Sequence, residues 1–121
     1  MRKKLHIEIL DPKRRSIFEK IAIFEKDGFY LAGGTALALQ IKHRESLDFD
    51  LFRNKEIGFS IKQKAFKIWG KDSVEMLVDT SDELTLVLDG GVKLTFLNYY
   101  WDPLFTLVKT AGDIPLLSIS D

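Results

Sequence analysis

The sequence predicts an α+β domain: a small mixed, mostly antiparallel sheet with helices packed on one side. Three observations carry that expectation. Apolar residues recur at helical spacing near the N-terminus and again after Ser60. A short apolar run at residues 29–32 breaks into Gly33-Gly34-Thr35. From Val74 onward the chain turns to short apolar runs punctuated by Asp89-Gly90-Gly91.

The elements follow in order. Asp11 can cap a helix whose first position is Pro12, and Ile17, Phe18, Ile21 and Phe24 share one helical face before Gly28 ends it. Residues 29–32 read as a strand, Gly33 and Gly34 as a tight turn, and residues 35–42 as a short helix. A second strand spans residues 47–52. After the polar break Arg53-Asn54-Lys55-Glu56, Ser60 is the expected N-cap of a helix that buries Ile61, Ala65, Phe66, Ile68 and Trp69 and closes at Gly70. Residues 74–78 and 84–88 read as strands, and the Asp89-Gly90-Gly91 hairpin leads into residues 92–99, so a meander is expected. Asp102-Pro103 interrupts the pattern. Residues 104–109 are expected to form one or two helical turns, and residues 114–119 a last short strand.

Composition narrows the class. The 121 residues are close to single-domain size, and with 45% of them apolar the chain can build one core. The 18 Lys and Arg balance the 18 Asp and Glu, so bulk charge carries no signature of a nucleic-acid binder. Two basic clusters, Arg2-Lys3-Lys4 with Lys13-Arg14-Arg15 and Lys62, Lys64, Lys67 with Lys71, read first as solvated faces. Absence of cysteine excludes a disulfide framework and thiolate chemistry. No apolar run approaches the roughly 18 residues of a membrane span, and the N-terminus lacks the apolar core of a signal peptide. The expectation is a soluble, cytoplasmic protein with no membrane contact.

Chemistry concentrates between Gly33 and Phe52. An apolar strand ending in Gly-Gly-Thr places backbone N–H groups and a helix dipole where a phosphate can sit, and two residues without Cβ let the backbone approach it closely. The Thr35 hydroxyl can either cap its helix or touch the phosphate. On the following strand Asp48 and Asp50 share a face while Leu47, Phe49 and Leu51 turn to the core. Their Cα atoms lie about 7 Å apart, so the carboxylates can converge on one or two Mg²⁺ ions. A phosphate cradle beside an Asp-x-Asp strand suggests a metal-dependent enzyme acting on nucleoside triphosphates.

Gly33-Gly34-Thr35-x-Leu37-x-Leu39 with His43-Arg44-x-Ser46-x-Asp48-x-Asp50-x-Phe52 resembles the AbiEii/AbiGii toxin-type nucleotidyltransferases of the DNA polymerase β superfamily. Gly91-Val92-Lys93-Leu94-Thr95-Phe96-Leu97 and the stretch from Ile114 to Asp121 are similar to later segments of one branch of that family. The resemblance implies a minimal nucleotidyltransferase fold over residues 1–121, Mg²⁺ (or Mn²⁺) dependence, and transfer of a nucleoside monophosphate from a nucleoside triphosphate to a hydroxyl of RNA, tRNA included, or of protein. It also implies the toxin of a toxin–antitoxin or phage-defence pair, with a cognate antitoxin as partner. Asp48 and Asp50 would be the catalytic metal ligands, and Gly33, Gly34, Thr35, Arg44 and Lys93 the nucleotide and phosphate contacts.

The pattern departs from the family in two places. Polymerase β-type sites commonly add a third carboxylate from a neighbouring strand, whereas residues 92–99 offer Lys93, Thr95 and Leu97 on the relevant face, with Asp89 and Glu83 the nearest acids. The family's C-terminal helical part, with its Lys and Asp motif, would begin after Asp121. The second point is expected of a fragment, a truncated relative or a chain whose site another chain completes. The missing third acid is the main argument for an alternative, a degenerate non-catalytic module that binds a partner protein.

Blander uses exist for each residue. His43 and Arg44 can be an exposed loop pair, Ser46 a turn residue, Lys93 a solvated strand lysine, and Trp69, Tyr99, Tyr100 and Trp101 core aromatics rather than base-stacking platforms. Other motifs fail outright. Gly34 is followed by Thr35-Ala36 rather than the Lys-Ser/Thr of a P-loop, a Rossmann turn lacks its further Gly, and two distant histidines, His6 and His43, do not make a zinc site.

Overall fold

The computed structural model describes residues 5–32, 35, 39, 48–88, 91–99, 107–108 and 114–117. Asp11 caps the first helix, α1 (Pro12–Ile21), accepting the Arg14 backbone N–H at 2.8 Å and its guanidinium at 2.6 Å, with Pro12 at the first position where its missing donor costs nothing. The expected single helix divides here. Residues Ala22–Asp27 tighten into a 3₁₀ segment that ends at Gly28, whose φ of 89° is a left-handed conformation suited to glycine.

The strands are β1 (Tyr30–Ala32), β2 (Phe49–Arg53), β3 (Glu75–Asp79), β4 (Glu83–Val87), β5 (Lys93–Asn98) and two short ones, β6 (Leu107–Val108) and β7 (Leu116–Leu117). They form one sheet in the order β3-β4-β5-β2-β1-β7-β6. Four neighbour pairs are antiparallel, while β2·β5 and β1·β7 are parallel. The sheet is therefore mixed and mostly antiparallel, with helices on one side, as the sequence predicts. The meander β3-β4-β5 also forms, with a bulge between Met76 and Val78. Gly91, at φ 88°, stands between β4 and β5.

The second long helix, α2 (Phe59–Trp69), starts two residues earlier than the Ser60 cap would allow. Gly58 occupies the cap position, and no side chain bonds there. Ile61 and Ala65 are buried, while Phe66 is only partly so. The helical face, the 3₁₀ segment and the sheet meet in an aromatic cluster. Phe96 packs edge-on against Phe24 (4.8 Å between ring centroids) and Phe29 (5.3 Å), and Trp69 stacks on Phe24. Trp69 is thus a core residue rather than a base platform.

Two further expectations are corrected. Residues 107–108 are strand, not helix: Leu107 pairs with Leu117 and Val108 with Leu116, so ladder bonds to a distant segment override local propensity. Arg53 does not begin a polar break. It ends β2 and is 7% exposed, with its guanidinium donating to the Asp27 carbonyl at 2.9 Å and to the Glu56 carbonyl, and lying 4.6 Å over the Phe29 ring. Two loop carbonyls near the core need donors, and arginine supplies them in one planar fork.

Candidate active site

Strand β2 alternates strictly: Phe49 and Leu51 are fully buried on the helix side, and Asp50 and Phe52 lie on the other face. Asp48, just before the strand, shares the Asp50 face and is exposed. The paired carboxylates expected from the sequence are therefore brought together. Leu47, the remaining core partner expected on this strand, lies outside the described residues.

Two nonlocal bonds fix Asp48. The Lys93 backbone N–H donates to its Oδ1 at 2.9 Å, and the buried Thr35 hydroxyl donates to its backbone carbonyl. Thr35 is helical, as is Leu39 one turn later, and Leu39 is fully buried. The hydroxyl of the Gly-Gly-Thr motif thus ties the segment after β1 to the residue that precedes β2. Gly33, Gly34, His43, Arg44, Ser46 and Asp89 lie outside the described residues, as do Tyr100 and Trp101.

Around Asp50 the register defines a row. Ala32 of β1 and Thr95 of β5 flank it, and Thr85 of β4 follows beyond Thr95. Burial first, and then the Asp48 charge, hold the Asp50 carboxyl above the usual carboxylate range, with Lys93 opposing. Two like charges on one half-buried face constitute a donor set whose repulsion a cation relieves, and the carboxylate oxygens suit a hard divalent ion. Among the described residues, no group of three His, Cys, Asp or Glu side chains is placed to hold a metal ion. Thr95 stands directly beside Asp50, where a third acid would be sought.

The nearest described acid, Glu83, is placed differently. Its backbone N–H is held at 3.0 Å by Thr80 Oγ1 in the β3–β4 turn, and its Oε2 accepts the Thr85 hydroxyl at 2.6 Å. Thr85 Oγ1 in turn lies 3.2 Å from Thr95 Oγ1. Sequence reading named Glu83 and Thr95 but missed Thr85, although a threonine between Leu84 and Leu86 on a two-residue period was the available signal.

Aromatics border the pair. Tyr30 packs against Phe52 (6.0 Å) and Phe52 against Tyr99 (5.2 Å), on the Asp50 face, with Tyr99 half exposed. Burial, reinforced by Tyr99, pushes the Tyr30 phenol up to about 12. In the basic cluster around α2, Lys62 meets Asp79 and Lys64 meets Asp27, each at 2.6 Å. A cleft of about 260 Å³ between Ile57, Phe59, Lys62, Asp79 and Leu84 lies away from the carboxylates, and the chemistry argues for the latter as the site. Among the described residues no helix is long and apolar enough to cross a membrane.

No solved structure matches the chain. An uncharacterized protein of Aquifex aeolicus (strain VF5) is 34% identical over 116 residues, covering 93% of this chain and 54% of the relative, so the chain spans about half the length of the curated relative it matches. The family model described as nucleotidyl transferase AbiEii toxin, type IV toxin–antitoxin system, matches residues 17–103. That span runs from the core face of α1 through the Gly-Gly-Thr motif, the Asp48/Asp50 strand and the meander, and the chain belongs to the AbiEii nucleotidyltransferase toxin family.

Proposed function

We propose that this chain carries the nucleotide-binding and metal-binding face of a nucleotidyltransferase toxin, which moves a nucleoside monophosphate from a nucleoside triphosphate to a hydroxyl of RNA, tRNA included, or of protein. The observation that carries the reading is the same-face Asp48/Asp50 pair, braced by Lys93 and Thr35. Asp48 and Asp50 would hold Mg²⁺ or Mn²⁺, which when bound neutralises triphosphate charge in the in-line displacement. Thr35 holds the Asp48 backbone through its hydroxyl, and Gly33 and Gly34, which precede it in sequence, would take phosphate. Arg44 and Lys93 add positive charge for the triphosphate. The acceptor oxygen forms a bond to the α-phosphorus as the bond to the bridging oxygen breaks; pyrophosphate leaves with that electron pair, and the acceptor proton passes to solvent. Membership in a toxin–antitoxin family supports a cognate antitoxin protein as partner, and the cytoplasm as the place of action.

Calorimetry with a panel of nucleoside triphosphates tests this directly. Binding is expected with Mg²⁺ and little without it, and Asp48→Asn with Asp50→Asn abolishes the difference. Binding indifferent to both would refute the ligand role. Thr95, at the place of a third acid, favours a second reading, a non-catalytic partner-binding module. Transfer of label from nucleotide to total RNA or protein, lost on Asp50→Asn, decides for the enzyme.

A further inference from the structure

The hydroxyl chain beside Asp50 has a direction. Thr85 is buried and owns one hydroxyl proton, which it gives to the Glu83 carboxylate at 2.6 Å. The 3.2 Å contact between Thr85 and Thr95 must then run from the Thr95 hydroxyl to the Thr85 oxygen. With its proton engaged towards β4, Thr95 is left with lone pairs only, and the neighbour in register on its other side is Asp50. Two acceptor groups stand side by side on one face, and what satisfies both is a cation or a donor placed between them.

We propose that Thr95 supplies a third, neutral oxygen to a divalent-cation site shared with Asp48 and Asp50, its lone pairs oriented by Thr85 and Glu83. The proposal rests on the reading of the two aspartates as cation ligands. Hydroxyl oxygens of Ser and Thr do coordinate Mg²⁺ in nucleotide sites. The chemical consequence is charge: two carboxylates and a hydroxyl carry two negative charges, which one divalent ion neutralises, whereas a third carboxylate would leave an excess. Glu83 acts through Thr85 and does not touch the ion. It is a positioning residue.

The test is Mn²⁺ binding by the full 121-residue chain, followed by electron paramagnetic resonance without nucleotide. Thr95→Val, which keeps shape and removes the oxygen, should weaken binding about 10-fold, and Thr85→Val should act in the same direction because outer partners of ligands commonly cost 10-fold or more. Thr95→Ser, which restores the oxygen, should bind within about twofold of the unmodified chain, a rescue that a purely packing role would not require. If Thr85→Val fails to fold, Glu83→Ala at the partly exposed end of the chain of bonds tests the same link. Unchanged Mn²⁺ affinity in Thr95→Val, with affinity lost in Asp50→Asn, overturns this inference and leaves the two-aspartate reading standing. Unchanged affinity in both Asp48→Asn and Asp50→Asn overturns the two together.

Discussion

Replacing Asp50 with asparagine should make the metal-free chain more stable. The two carboxylates sit two residues apart on one extended strand, so their charges are separated by about 7 Å. At that distance they repel by about 2 kcal/mol at an effective dielectric constant of 20 and about 0.6 kcal/mol in bulk water. Asp48 is exposed, which favours the lower figure, while burial of Asp50 adds a desolvation cost that the amide largely avoids. A gain of about 1 kcal/mol follows, or about 4 °C in Tm for a domain of this size. The pH dependence has a definite sign. Because the folded chain holds the Asp50 proton more tightly than the unfolded chain does, stability falls as pH rises from the unfolded carboxylate range near about 4 through the raised folded value. The Asp50→Asn variant is free of that fall. Mg²⁺ should invert the order: at tenfold excess over its Kd it adds about 1.4 kcal/mol to the unmodified chain and nothing to the variant. Differential scanning calorimetry from pH 3 to 8, with and without Mg²⁺, reads all three effects. A variant less stable than the parent without metal would show that Asp50 is a structural group, and the reasoning would be wrong.

Other perturbations have equally definite outcomes. Arg53→Met should cost about 3 kcal/mol, since it strips two carbonyls of charged donors and the Phe29 ring of its guanidinium, and a lowered urea midpoint measures it. Thr35→Val should cost about 1–2 kcal/mol by removing the donor to the Asp48 carbonyl, and should weaken Mn²⁺ binding as well, because the strand end it braces carries a proposed ligand. Asp11→Ala should cost about 1 kcal/mol at neutral pH as an N-cap loss. Bonds from Arg14 hold the Asp11 carboxyl below its usual range, so its contribution is present above the unfolded carboxylate range and lost as pH falls through the folded value; urea titrations of parent and variant should therefore converge in acid.

What could be read beforehand was what depends on local period and local chemistry. Phe49, Asp50 and Leu51 alternate, so the faces of β2 were legible, and Asp11-Pro12 announced its helix. Arg53 was not legible, because its type says solvent while two carbonyls, one of them twenty-six residues earlier in the chain, make it core. The β6 strand was missed for a related reason: two residues have no period, and only pairing with β7 makes them extended. At the site, Thr95 could be placed beside the acids by counting along its strand. The bond from Thr35 to Asp48 and the link through Thr85 depend on how β1, β2, β4 and β5 come together, which no spacing in the sequence displays.

The parallel β2·β5 ladder has a kinetic consequence. Phe49 meets Leu94 and Arg53 meets Asn98, with α2 and the β3–β4 hairpin threaded between them, and β1 waits still longer for Leu116. A large loop must close before any of these contacts repays its entropy, so the central strands are expected to assemble late and slowly compared with the β3–β4 hairpin. On a ribosome, Asp48 and Asp50 would be made 45 residues before the Lys93 and Thr95 that complete their surroundings. The nascent chain would carry the acids of its site, yet not the site, until most of the domain had been made.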